Sequence, residues 1–166
     1  QAVQDQAYNM YARTSGDHYS TQNGPRYREH ATVVLEMKDG TFCWPDKDVV
    51  GPMTQGSNIL GEASFDSQVG WVFAQTYGNP NGIERVWLIH AHVDINSGAA
   101  PTYPADFSVR GKFADMYTRS YKSMGYSLSE NQVVSAVASF NNSLYVLSSG
   151  AYTQIPGWSF TANGWR

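Results

Sequence analysis

Apolar residues recur along this chain in two rhythms, one helical and one alternating, and together they divide it into elements. Over residues 2–14, Ala2, Val3, Ala7, Tyr8, Met10 and Tyr11 give a rough apolar helix face, which Thr14-Ser15-Gly16 ends. Residues 15–26, rich in Ser, Asn, Gly and Pro, read as a polar loop. A strand is expected over 30–37. Lys38-Asp39-Gly40 then turns it into a second strand through Trp44, because Asp-Gly is a strong hairpin signal. Residues 45–70 carry Pro45, Pro52 and repeated glycines, which suggests loops and at most short structure. Residues 71–74 fit either a strand or a helical turn, and Asn79-Pro80-Asn81-Gly82 marks a turn. An apolar strand follows over 84–92. A long helix is expected over 104–123, with Pro104 in its first turn, Phe107, Ala114, Tyr117 and Tyr121 at helical spacing, and Gly125 as its cap. Residues 133–148 form a hairpin around Asn141-Asn142, and a Gly/Trp-rich tail closes the chain. With no repeat and no linker, the pattern implies one α+β domain over 1–166. Its sheet is mainly antiparallel, with an N-terminal helix and a long helix after the 84–92 strand.

That strand ends in His90-Ala91-His92. Side chains alternate faces along a strand, so the two imidazoles project on the same side and can grip one divalent ion. A third ligand completes a site that leaves one position open. Asp106, in the first turn of the expected helix, can swing back towards the pair. Asp94 shares the strand face and ranks behind it. The same spacing also suits two hydrogen-bonded histidines at a strand end. Of the other histidines, His30 points to the opposite face from a neighbouring Glu29, and His18 lies in the polar loop.

The order Glu, strand, His-x-His, loop, Asp at a helix start resembles that of the JAMM metalloproteases, the JAB/MPN-like superfamily. Residues Tyr27-Arg28-Glu29-His30-Ala31-Thr32-Val33-Val34-Leu35, followed by Asp39-Gly40-Thr41-Phe42, look like the Glu-bearing first hairpin of a bacterial branch. That branch is found at the C-terminal ends of large secreted or polymorphic toxins. The likeness is one of motif order over 3–42, 86–124 and 133–148. It implies a hydrolase of peptide or isopeptide bonds, with Zn2+ held by His90, His92 and Asp106 and Glu29 as the proton-transferring base. It further implies a protein or peptide substrate, export from the cell and an immunity protein as partner. Glu36, later on the same strand, is the fallback base. On its residues alone, Glu29 reads rather as an exposed strand-edge charge paired with Arg28 or Arg26.

Three departures from the family pattern matter. Val93 stands where the family usually has Pro, and the loop to Asp106 is a few residues longer than usual. Tyr103 falls where the family places the Ser that donates to the oxyanion, a contact whose loss typically costs a few kcal/mol. Thr102 or Ser97 could serve in its place. Tyr103 favours a second class of reading, a non-enzymatic secreted binding module or an inactive JAMM-like domain. The intact Glu, His, His, Asp set favours the enzyme.

Composition narrows the field further. Charged residues make up 15% of the 166 and aromatics 14%, a polar-aromatic surface of the kind met outside the cytoplasm. A net charge of −3 without a Lys/Arg cluster argues against a nucleic-acid partner. The one cysteine, Cys43, permits no internal disulfide and no thiolate metal site of its own; between Phe42 and Trp44 it reads as a buried thiol. The paired cysteines common in zinc deaminases are missing. No run of about 18 apolar residues is present to span a membrane. The chain opens on Gln1, which reads as a processed or excised piece. The scattered tryptophans read as packing rather than as a sugar platform.

Overall fold

The 84–92 apolar run is buried on both faces, which is the mark of a central strand. In the computed structural model, described for residues 1–21, 24–52, 60–61, 63–93, 105–139, 143–148, 151–155, 160–161 and 164–165, it is β7, Ile83–His92. Before it come α1 (Ala2–Gly16), β1 (His18–Thr21), β2 (Gly24–Arg28), β3 (His30–Met37), β4 (Phe42–Cys43), β5 (Val49–Val50), β6 (Leu60–Gly61) and α2 (Asp66–Thr76). After it come α3 (Ala105–Tyr121), β8 (Val133–Ser139), β9 (Ser143–Ser148), β10 (Ala151–Gln154), β11 (Phe160–Thr161) and β12 (Gly164–Trp165).

Seven strands make one mixed sheet in the order β10-β9-β8-β7-β3-β4, with β5 also paired to β3. Among the described residues only β7 and β8 run parallel within it, because α3 lies between them in the chain and carries it back across the sheet. The remaining pairs are antiparallel, so the α+β class and the mainly antiparallel sheet hold.

Alternation along the strands sorts the core into two layers. Val34, Ile89, Ala91, Ala136, Ala138 and Leu144 meet Ala7 and Met10 of α1 on one face. Ala31, Val33, Leu35, Val86, Leu88 and Val133 meet α2 and α3 on the other, through Val69, Val72, Phe113 and Tyr117. Each fully buried Val, Leu, Ile, Phe or Met side chain among these contributes roughly 1.5–3 kcal/mol relative to exposure. The fully buried Arg110 of α3 is satisfied differently. Its guanidinium donates to the carbonyls of Val133 and Glu130, which pins the helix to the start of β8.

Several local expectations change. Within the stretch expected to be a polar loop, α1 runs to Gly16, and β1 and β2 pair antiparallel, His18 with Tyr27 and Tyr19 with Arg26, in a small sheet that β6 joins parallel to β2. Residues 71–74 belong to α2, which begins at Asp66, inside the segment expected to be loops. The apolar spacing Phe65, Val69, Val72, Phe73 is helical, and its signal is diluted by Gly70. The hairpin expected around Asn141-Asn142 is formed by β8 and β9, although those two residues lie outside the described ones. The 38–40 turn stands as expected, with Gly40 at φ 87°, a conformation glycine adopts without steric cost.

Candidate metal centre

β7 delivers His90 and His92 at its C-terminal end, on the face covered by α2 and α3. Parity fixes that face: His90 pairs with Ala31, whose neighbours Val33 and Leu35 belong to the same layer. Asp106 enters from the first turn of α3, where the helix dipole favours a carboxylate. The three side chains converge. His90 Nε2 lies 3.2 Å from His92 Nε2 and 3.1 Å from Asp106 Oδ1, and His92 Nε2 lies 3.5 Å from the same oxygen.

Those spacings bear on both readings of the histidine pair. An ion with four ligands at about 2.0–2.1 Å places neighbouring donor atoms about 3.3 Å apart. The triangle matches one face of such a tetrahedron. Hydrogen bonds alone explain it less well, since two imidazole nitrogens meet at contact distance while both address one carboxylate oxygen. The group can hold a metal ion. Its side chains are mostly withdrawn from water, at 6%, 10% and 13% exposure for His90, His92 and Asp106. Burial pushes the Asp106 carboxyl up, but hydrogen bonds and charge from His90 and His92 outweigh it and hold that carboxyl far below its ordinary range. That shift favours the ionised carboxylate, the form in which an aspartate binds a metal. Metal-binding histidines usually tie their second nitrogen to an acceptor. His92 Nδ1 is buried and has no such partner among the described residues.

Glu29 sits immediately before β3 and is buried, not exposed at a strand edge. Its carbonyl accepts a hydrogen bond of 2.8 Å from Gly51 N. Glu36 is removed from the site. It lies about 16 Å along β3 from the level of His90, on the other face. There Arg85 grips it at 2.8 and 3.0 Å and Trp87 Nε1 donates at 3.0 Å. The Arg85 hydrogen bond, against some burial, holds its carboxyl below the usual range. Tyr103, Asp94, Ser97 and Thr102 lie outside the described residues. His18 is exposed on β1 rather than in a loop. Cys43 is half-buried, and burial raises its thiol above the ordinary value, which makes it a poor nucleophile.

The sequence reading passed over a second cluster, in which His30 bridges Asp17 and Asp48 on the α1 side of the sheet. Its members are far apart in the chain, so spacing gave no signal. No family model, curated protein or solved structure matches this chain.

Proposed function

We propose that the chain is a zinc-dependent hydrolase of peptide or isopeptide bonds, organised like the JAMM metalloproteases. One observation carries the reading: two imidazole nitrogens and a carboxylate oxygen form a buried triangle with edges of 3.1–3.5 Å, drawn from a His-x-His strand end and the following helix start. Two nitrogens and one oxygen are a donor set suited to zinc, and three protein ligands leave a fourth position for substrate or water. Held by His90, His92 and Asp106, zinc would acidify water and polarise an amide carbonyl.

The chain's own residues supply the rest. His90 and His92 act as neutral ligands and Asp106 contributes the compensating charge. Glu29 takes the proton from the attacking water and returns it to the leaving amine. The antiparallel register supports that role: run on two residues beyond the pair Ala31–His90, it brings Glu29 opposite His92, on the face both histidines share. Tyr103 is the proposed donor to the oxyanion, in the place of the family Ser. On this reading the domain is an exported effector or toxin acting on a protein or peptide, countered by an immunity protein.

The test is metal content by mass spectrometry on protein purified without chelator, followed by cleavage of peptide and isopeptide substrates. About one zinc per chain is expected, lost in His90→Ala and Asp106→Ala. Glu29→Gln should keep its zinc and lose turnover by roughly a hundredfold or more. No metal after zinc is added back would sink the reading. Zinc without turnover on any substrate would favour an inactive JAMM-like binding domain, as the Ser-to-Tyr change at Tyr103 suggests.

A further inference from the structure

Beyond β7, the face that carries the triangle continues onto β8 and β9. β8 is buried along its whole length, and its residues alternate between the two layers. Ala136 and Ala138 meet α1, while Val133 meets α2 and α3. By that parity Ser135, Val137 and Ser139 share the face of the triangle. The register then names neighbours. In the parallel pair, His90 stands beside Val137 and His92 beside Ser139; in the antiparallel pair beyond it, Ser139 stands beside Ser143. A row of His92, Ser139 and Ser143 therefore crosses three strands at the level of the triangle, with strands about 4.8 Å apart. Ser139 is fully buried and Ser143 nearly so. Ser143 Oγ accepts a hydrogen bond of 2.8 Å from Gln154 Nε2 of β10, which anchors the far end of the row.

We propose that Ser139 is the positioning residue for His92, a role resting on the reading of His92 as a metal ligand. An imidazole that gives its Nε2 lone pair to a metal carries its proton on Nδ1, and that proton needs an acceptor. His92 Nδ1 is buried and meets none among the described residues. The hydroxyl that the sheet sets beside this ring on β8 is that of Ser139. Rotation about its Cα–Cβ bond carries the oxygen towards the ring without moving the strand. A hydroxyl accepts and donates at once, so Ser139 accepts from His92 Nδ1 while donating to Ser143 Oγ. The bond fixes the tautomer and the turn of the ring, and so keeps Nε2 aimed at the ion. Ser135 supplies the contrast on the same strand face. It is fully buried beside Leu88, and its Oγ has no partner among the described residues. It lies about 13 Å along the strand from Ser139, out of reach of His92.

The test is zinc affinity by chelator competition on the full chain, for the wild type, Ser139→Ala, Ser139→Thr, Ser135→Ala and Glu29→Gln. Ser139→Ala should bind zinc about tenfold more weakly, and Ser139→Thr, which keeps the hydroxyl, should recover most of that loss. Ser135→Ala should bind like the wild type. In the zinc-loaded chain, 15N-resolved NMR should find His92 protonated at Nδ1, with that proton moved downfield by its hydrogen bond. In Ser139→Ala the same proton should shift upfield, a change that a merely structural serine would not produce. An affinity in Ser139→Ala equal to the wild type's, or an unmoved Nδ1 proton, overturns the role. A loss in Glu29→Gln with none in Ser139→Ala hands it to Glu29, on the other flank of His92, and overturns it equally. If the wild type binds no zinc, the role falls with the metal site itself. If it binds zinc and cleaves nothing, affinity and ring spectrum still decide the matter, because neither depends on turnover.

Discussion

Glu29 and Glu36 share one strand region and one chemistry, yet their surroundings give them different work. Glu36 is spent on Arg85 and Trp87, whereas Glu29 is buried at the end of β3 that faces the histidines. Glu36→Gln should therefore lower stability by about 1 kcal/mol, read from the urea midpoint, and leave zinc content and turnover unchanged. Glu29→Gln should do the reverse on turnover. Loss of turnover in Glu36→Gln would undo this division of roles. The histidine pair of the candidate site was legible in the sequence because a period of two is enough to put His90 and His92 on one face. The choice between the two glutamates was not. It needed the register, and the arginine that occupies Glu36 comes from the neighbouring strand.

At the level of elements, α3 carries Asp106 at one end and is fastened by Arg110 one turn later. Arg110→Ala should cost about 3 kcal/mol, since it removes the guanidinium's hydrogen bonds to the Val133 and Glu130 carbonyls and opens a cavity where a fully buried side chain stood. Thermal denaturation would measure this, and a change below about 1 kcal/mol would show that the helix is held by its apolar face alone. β3, β7 and α3 were readable because their apolar periodicity is strong. The β1–β2 ribbon was not, for its strands are polar and lie off the main sheet, so hydrophobicity gave no alternation to detect. Helix α2 was blurred in a similar way by Gly70 within and by the glycines and prolines upstream.

For the molecule as a whole, two carboxylates tie together parts distant in sequence. Asp17 feels some burial, which raises it, but the hydrogen bonds of His30 and Arg28 outweigh that and hold it below the ordinary range, as Arg85 does for Glu36. A carboxylate depressed in the folded state gives stability that is present above its unfolded value and lost as pH falls through the folded one. Unfolding midpoints should accordingly be level near neutrality and drop below about pH 4. Asp17→Asn combined with Glu36→Gln should flatten that drop. An acid slope equal to the wild type's in the double variant would place the proton uptake elsewhere.

The triangle also has a mechanical meaning. His92 and Asp106 stand fourteen positions apart in the chain, so an ion bound by both closes a ring of polypeptide as a cross-link would. For a loop of about 15 residues such closure restricts the unfolded chain by roughly 3 kcal/mol. Chelation should then free the first turn of α3 before any other helix. Amide hydrogen exchange over residues 106–110 should speed up by about two orders of magnitude in EDTA, while exchange in α1, which lies across the sheet, stays as it was.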